Sequence, residues 1–167
     1  MSDAFYVGDS YSGKVEWLTP PLLIEKLGVF DLDPCSPINS FYRIAKKYYT
    51  ENDNGLIQKW KGRVFCNPPY DFCSMRSFIN KCVEHENAIA LIFARTGTEL
   101  FQDIIFKKAY SILYLKGRVK FYSNIGEEAK SGAGADSVLI AFNEENGKIL
   151  EKCQKEGIIK GFYQKLN

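Results

Sequence analysis

Hydrophobic positions change period repeatedly along the chain. Residues 88–93 form an unbroken apolar run, the pattern of a strand buried on both faces. Just before it, Met75, Phe78, Ile79, Cys82 and Val83 recur at helical spacing and predict an amphipathic helix over 74–85. Phe101, Ile104 and Ile105 predict another helix, with Thr98 as N-cap and Lys107 and Lys108 suited to its C-terminus. Ile149, Leu150 and Cys153 predict a late helix that Gly157 ends. Near the start, Thr19 before Pro20 and Pro21 reads as the N-cap of a short helix running to Leu27 and stopped by Gly28. Short strands are predicted at 30–33, 46–50, 63–66, 111–115 and 137–142. Residues 52–55 form a turn cluster. Residues 124–136, rich in Gly, Ala and Ser, predict a mobile loop. Strands alternating with helices imply an α/β fold with a mostly parallel sheet, and 167 residues fit a single domain, 1–167.

Composition narrows the chemistry. Twenty-two Lys and Arg oppose twenty Asp and Glu, a net charge of +2. A nucleic-acid binder of this balance needs its basic residues gathered on one face. The five cysteines include no C-x-x-C pair, which disfavours a disulfide framework or a zinc ribbon. His85 is the only histidine and sits near the end of a helical pattern, so a solvated helix terminus is its expected home and hydrolase chemistry is disfavoured. No apolar run approaches the ~20 residues of a membrane span. The first fourteen residues lack a basic segment followed by an apolar one. The expected location is the cytoplasm. Trp17 and Trp60 read as core anchors.

One tetrapeptide carries chemistry: Asn67-Pro68-Pro69-Tyr70, directly after a predicted strand. Two prolines fix the loop and remove two N–H donors. The groups left to point outward are acceptors, the Asn67 side-chain oxygen and the Pro68 carbonyl. Two rigid acceptors side by side suit an amino group on an aromatic ring. Tyr70 supplies a flat face on which that ring stacks, a contact worth ~1–3 kcal/mol per base in nucleic-acid systems.

With this motif the chain resembles the amino-methyltransferases that use S-adenosylmethionine, and more closely the phage-type DNA N6-adenine methyltransferase family. The resemblance rests on an ordered set: Glu16-Trp17-Leu18-Thr19-Pro20, Phe30-Asp31-Leu32-Asp33-Pro34-Cys35, Asn54-Gly55-Leu56, Trp60-Lys61-Gly62, Cys66-Asn67-Pro68-Pro69-Tyr70, Arg95-Thr96 and Gly117-Arg118-Val119-Lys120-Phe121. It implies a trimmed, Rossmann-like class I methyltransferase sheet, because residues 34–66 leave little room between the first two site motifs. It also implies S-adenosylmethionine as cofactor and DNA as partner. Thr19 and Pro20 match the segment that closes over the methionine end of the cofactor. Asp33 and Pro34 match the end of the first strand, where cofactor contacts gather. Asn67, Pro68 and Tyr70 match the catalytic target-amine site, with Pro69 beside them.

The usual methyltransferase glycine loop is absent, and Cys35-Ser36-Pro37-Ile38-Asn39-Ser40 stands in its place. Ser36 or Asn39 is the expected substitute for its cofactor contacts. Glu51 and Asp53 are candidate acids for the cofactor ribose and adenine, although a solvated turn explains them equally well. Arg95 follows a buried strand and is a candidate substrate contact. Lys116, Arg118 and Lys120 alternate, which in an extended segment puts all three on one face to meet phosphates. Two kinds of alternative stay open. One is the same chemistry on cytosine N4, an RNA adenine or a protein glutamine. The other is a non-catalytic nucleic-acid-binding module.

Overall fold

A computed structural model describes residues 17–123 and 125–167. Residues 1–16, Glu16 among them, and Asn124 lie outside them. The order of elements is α1 (Pro21–Leu27), β1 (Phe30–Asp33), β2 (Ala45–Tyr48), a 3-10 turn (Glu51–Asp53), β3 (Val64–Cys66), α2 (Phe72–His85), β4 (Ala88–Phe93), a π-helix (Leu100–Ile105) running into the single turn α3 (Phe106–Lys108), β5 (Ser111–Leu115), β6 (Ser137–Ala141), α4 (Glu144–Lys155) and β7 (Gly161–Lys165). The seven strands make one sheet in the order β2-β1-β3-β4-β6-β5-β7.

The expected mostly parallel sheet is half right. β2, β1, β3 and β4 pair in parallel, whereas β6 runs antiparallel to both β4 and β5, and β7 antiparallel to β5. The cause is the connection after β5. It returns without a crossover helix, and a chain that returns directly pairs antiparallel. The result is a mixed α/β sheet whose parallel half carries the motifs.

Alternation along the strands builds two core layers. Val64, Cys66, Ala88, Ala90, Ile92, Ile112, Val138 and Ile140 face Phe78, Ile79 and Cys82 of α2 and the apolar side of the π-helix. Phe65, Ile89, Leu91, Leu113, Leu139 and Ala141 face Ile24 and Leu27 of α1 and Leu150 and Cys153 of α4. β4 is buried along its length because helices cover both of its faces, as its apolar run implies. The edges are polar. β2 reads Ala-Lys-Lys-Tyr, and β7 reads Gly-Phe-Tyr-Gln-Lys and is largely exposed.

Several local expectations change. Pro20 is the N-cap of α1 and makes no side-chain cap bond, which leaves the Thr19 hydroxyl for another partner. The helix after β4 starts with Glu99 rather than Thr98 as its N-cap and is π-wound over its first six residues; the Thr98 hydroxyl donates to the Arg95 carbonyl (2.8 Å). The stretch expected to be a mobile loop folds back on 118–122, with Ala129 N–H donating to Phe121 O and Ala133 N–H to Val119 O, both at 2.8 Å. Trp60 is a core anchor, its indole N–H donating to Gly55 O (2.9 Å), but Trp17 is 41 % exposed. His85 ends α2 with Nε2 2.8 Å from Gly62 O. Among the described residues no helix is long and apolar enough to cross a membrane.

Gly55 holds the end of β1 in place. A Cβ on it would lie 2.2 Å from the Pro34 carbonyl oxygen, a backbone atom that cannot swing away. Gly55→Ala is therefore expected to cost about 1–3 kcal/mol, in the range of an overpacked core, as read by urea unfolding.

Candidate active site

β1 and β3 lie side by side and parallel, yet their onward connections diverge. β1 leads to β2 on one side and β3 leads to β4 on the other. Such a divergence opens a crevice at the carboxyl ends of the two strands, where open α/β sheets take their ligands. Asp33 is the last residue of β1, and Asn67 follows the last residue of β3.

A narrow cleft of about 20 Å³ occupies this place. Thr19, Asp33, Ser36, Tyr42 and Asn67 supply its polar lining, and Trp17 stands among its lining residues. Thr19 reaches it because Leu18 and Tyr122 exchange two backbone hydrogen bonds (2.8 and 2.9 Å), pinning the segment before α1 against the sheet. Thr19 is 2 % exposed, and its hydroxyl accepts from Asn67 Nδ2 at 3.3 Å. Asn67 Oδ1 accepts from the Tyr70 hydroxyl at 3.2 Å. Tyr70 is 37 % exposed and stacks on Phe93, the last residue of β4 (centroids 4.3 Å apart, 21° between planes). Pro68 is buried and Pro69 exposed. Asp71 closes the motif by accepting from Ser74 N–H (2.9 Å), starting α2 immediately after it.

The loop that replaces a glycine-rich turn is organised by Arg43. Its guanidinium donates to Ser36 Oγ (2.7 Å), Pro37 O (2.8 Å) and Ile38 O (3.1 Å), and lies over the Tyr48 ring. Ser36 is buried in the cleft lining, whereas Asn39 is exposed and outside it. Asp33 is 5 % exposed and accepts from Cys35 N–H at 3.0 Å. Burial pushes its carboxyl up to about 7, against the opposing hydrogen bonds from Cys35 and Ser36 and the charge of Arg43. Below the cleft, Cys35 Sγ lies 3.8 Å from Cys66 Sγ, and burial pushes both thiols up, keeping this floor neutral.

A family model for DNA N-6-adenine-methyltransferases (Dam) matches residues 11–160. The chain belongs to that family. It is accordingly an adenine-specific DNA methyltransferase, an enzyme. No match was found among curated proteins, and none among solved structures.

Within this Dam-family chain the sequence-predicted residues divide. Thr19, Asp33 and Asn67 converge on the cleft, with Pro68 and Tyr70 adjoining through the motif. Pro34 does not line it and instead backs onto Gly55. Glu51 and Asp53 do not line it either. Both sit in the exposed turn after β2, outside the lining, and the Asp53 carboxylate accepts from Thr50 N–H and Oγ1 (both 2.8 Å) in a capping box. Arg95 is exposed beyond β4, 5.9 Å from the centroid of the Phe93 ring on which Tyr70 stacks. Lys116, Arg118 and Lys120 do not alternate along a strand, because β5 ends at Leu115 and Gly117 turns the chain with φ +81°. All three nevertheless line one open groove, joined there by Lys26 and Lys160 and reaching Pro20. Lys120 pairs with Glu128 (3.0 Å) and Arg118 with Asp136 (3.9 Å). Sequence reasoning missed Tyr42 and Phe93. Their signals were an aromatic pair in a polar loop and the last ring of an apolar run.

The Asp33 shift has a defined sign. A carboxyl whose pKa rises from 3.8 to about 7 on folding holds its proton where the unfolded chain has released it. That contribution to stability is fully present below about pH 4 and is lost as pH rises to about 7. It amounts to about 4 kcal/mol at most. Asp33→Asn, which keeps the acceptor for Cys35 N–H, should flatten this fall in urea unfolding free energy between pH 5 and 8.

Proposed function

We propose that the protein transfers a methyl group from S-adenosylmethionine to N6 of an adenine flipped out of DNA, on a trimmed Rossmann-like class I scaffold in which 1–167 act as one domain. The observation that carries this reading is the convergence of Thr19, Asp33 and Asn67, from three separate segments, on one cleft at the point where the strand connections diverge. The donor set fits the cofactor. Hydroxyls, a carboxyl, an amide and an indole surround a cleft in which one buried hydroxyl, that of Tyr42, has no partner among the described residues. Thr19, Asp33, Ser36 and Trp17 would hold the cofactor, with Pro20 closing the segment above it. When bound, it supplies an electrophilic methyl carbon on sulfur.

The chain's own residues do the rest. An adenine inside a duplex is out of reach of the cleft, so the base must leave the stack. Tyr70, backed by Phe93, presents a ring for the extruded base. Asn67 Oδ1 and the Pro68 carbonyl accept hydrogen bonds from the two N6 hydrogens, leaving the nitrogen lone pair toward the cleft; once N6 has taken the methyl group in exchange for the carbon–sulfur bond, it releases one of those protons to solvent. As positive charge develops on N6, these fixed acceptors stabilise it without reorganising. The long Tyr70–Asn67 hydrogen bond yields to the amine. Bringing two substrates together in a fixed orientation supplies the largest share of the acceleration. Phosphates of the DNA run along the groove of Lys26, Lys116, Arg118, Lys120 and Lys160, which meets the cleft where Thr19 passes to Pro20.

Asn67→Ala should reduce methyl transfer about 100-fold or more while cofactor affinity changes little, as measured by transfer of labelled methyl to DNA and by calorimetry. Wild-type turnover in the purified variant would falsify the assignment. Tyr70→Phe should retain most activity, since only the bond to Asn67 is lost, and Tyr70→Ala should not. Identification of the methylated nucleoside separates adenine from cytosine or RNA targets.

A second expectation concerns the groove. Replacing Lys116 and Lys160 by Ala should weaken binding to all DNA sequences alike. It should also reduce the slope of log affinity against log salt by about 0.9 for each lost phosphate contact. Titrations at several salt concentrations read the slope directly, and an unchanged one would place the phosphates elsewhere.

A further inference from the structure

The groove assigned to the DNA backbone carries one side chain of the wrong sign. Lys26, Lys116, Arg118, Lys120 and Lys160 line it, and among the described residues a single acidic one, Glu128, lines it with them. Glu128 is held there by the backbone. It forms a bridge with Tyr122, and the residues on either side are tied to the same segment, Ser123 N–H donating to Glu127 O and Ala129 N–H to Phe121 O, both at 2.8 Å. Its two carboxylate oxygens take different donors. Lys120 Nζ donates to Oε1 (3.0 Å) and the Tyr122 hydroxyl to Oε2 (3.3 Å). The hydrogen bond from Lys120 holds the carboxyl below the usual carboxylate range, so an anion sits in the groove at neutral pH.

This is the pattern a phosphodiester asks for. Its two non-bridging oxygens share one negative charge, and proteins meet them with lysine ammonium groups and with hydroxyl donors such as that of tyrosine. The two oxygens of Glu128 likewise share one charge, and each accepts from one such donor. The second ion pair of this segment is different. Arg118 and Asp136 are 3.9 Å apart, and Asp136 does not line the groove. Of the two carboxylates paired with groove cations, only Glu128 therefore stands where a phosphate would pass. Lys120 and Glu128 are each about half exposed, and an exposed ion pair is weak enough for a competing anion to displace.

We propose that Glu128 stands in for a DNA phosphate in the unliganded protein, holding Lys120 and the Tyr122 hydroxyl until the DNA backbone displaces it. This rests on the reading of the groove as the DNA path. The exchange swaps one anion for another on the same donors, with no covalent bond made or broken. Binding then costs the Lys120–Glu128 pair, and the freed carboxylate beside the phosphates draws a cation from solution. Wild type releases one ion fewer than its groove cations imply, and re-formation of the pair helps the DNA to leave.

The test uses the full chain and short DNA duplexes, titrated at several salt concentrations. Glu128→Gln removes the charge and keeps the size and an acceptor oxygen. Glu127→Gln makes the same change in net charge at an exposed neighbour outside the groove lining. Glu128→Gln should bind every duplex about two- to fivefold more tightly at low salt, the scale of one exposed ion pair that no longer has to be broken. Its log affinity should fall more steeply with log salt, by up to about 0.9. Glu127→Gln should change neither appreciably. In a Lys120→Ala background, Glu128→Gln should lose most of its gain, because the donor it frees is absent. Equal gains from the two Gln variants overturn the proposal and assign the effect to net charge. No gain from Glu128→Gln, or a gain that survives intact in the Lys120→Ala background, also overturns it and leaves Glu128 as a cross-strand ion pair of its own segment. In each of these cases the groove reading stands if replacing Lys116 and Lys160 by Ala still weakens binding. If that replacement leaves affinity and slope unchanged, the groove reading fails and this proposal fails with it.

Discussion

Everything at this site depends on β1 and β3 being parallel neighbours whose chains must leave in opposite directions. Their carboxyl ends cannot both be roofed by the connections that follow them, so an opening remains between Asp33 and Asn67. The fold then holds that opening at a fixed width. Gly55 packs on the Pro34 carbonyl behind one side, and Asp71 starts α2 directly behind the other. Across the top, the Leu18–Tyr122 bridge brings Thr19 within reach of Asn67. The chain assembles a three-sided cleft from segments far apart in sequence, with no glycine-rich loop.

That missing loop has a physical replacement. In a glycine-rich turn the backbone approaches its ligand closely because no Cβ intervenes. Here the turn after β1 is broader, and the Arg43 guanidinium at its centre gathers two carbonyls and the Ser36 hydroxyl around itself. The loop is shaped by a cation on the inside rather than by absent side chains. Its side chains are therefore free to line the cleft, and the buried Ser36 and the hydroxyl of Tyr42 do so.

Much of this was legible in the chain. The strands at Ala88–Phe93 and Ser111–Leu115 stood out because apolar stretches bounded by polar or breaker residues have few other readings, and Phe30–Asp33 because Pro34 stops it. Asn67-Pro68-Pro69-Tyr70 was legible because proline rigidity makes a local statement that tertiary contacts scarcely alter. What failed was whatever depended on a distant partner. Thr19 looks like a cap until Asn67 competes for its hydroxyl. Trp17 looks like core until the sheet leaves it at the cleft. β6 reads as a strand, but its direction is set by the route of the chain before it. β7 went unread because Gly-Phe-Tyr-Gln-Lys, an edge strand, has no buried face to impress a pattern. Asp53 had a local partner, Thr50, only three residues away, and the capping box it forms was the signal overlooked.

The edge at β2 has a consequence for the molecule among its own copies. An outer strand presents a row of unpaired amide and carbonyl groups, an open invitation for another sheet to extend it. The two central residues of this strand are Lys46 and Lys47. If two copies met along β2 around a two-fold axis, these lysines would face each other across the new pairing, and like charges directly opposite are destabilising. Asp31 holds one ammonium (2.8 Å) and the Tyr49 ring lies beneath the other, so both stay beside the edge. The same two lysines that look like surplus positive charge thus serve colloidal stability, keeping a seven-stranded sheet from becoming the seed of a longer one.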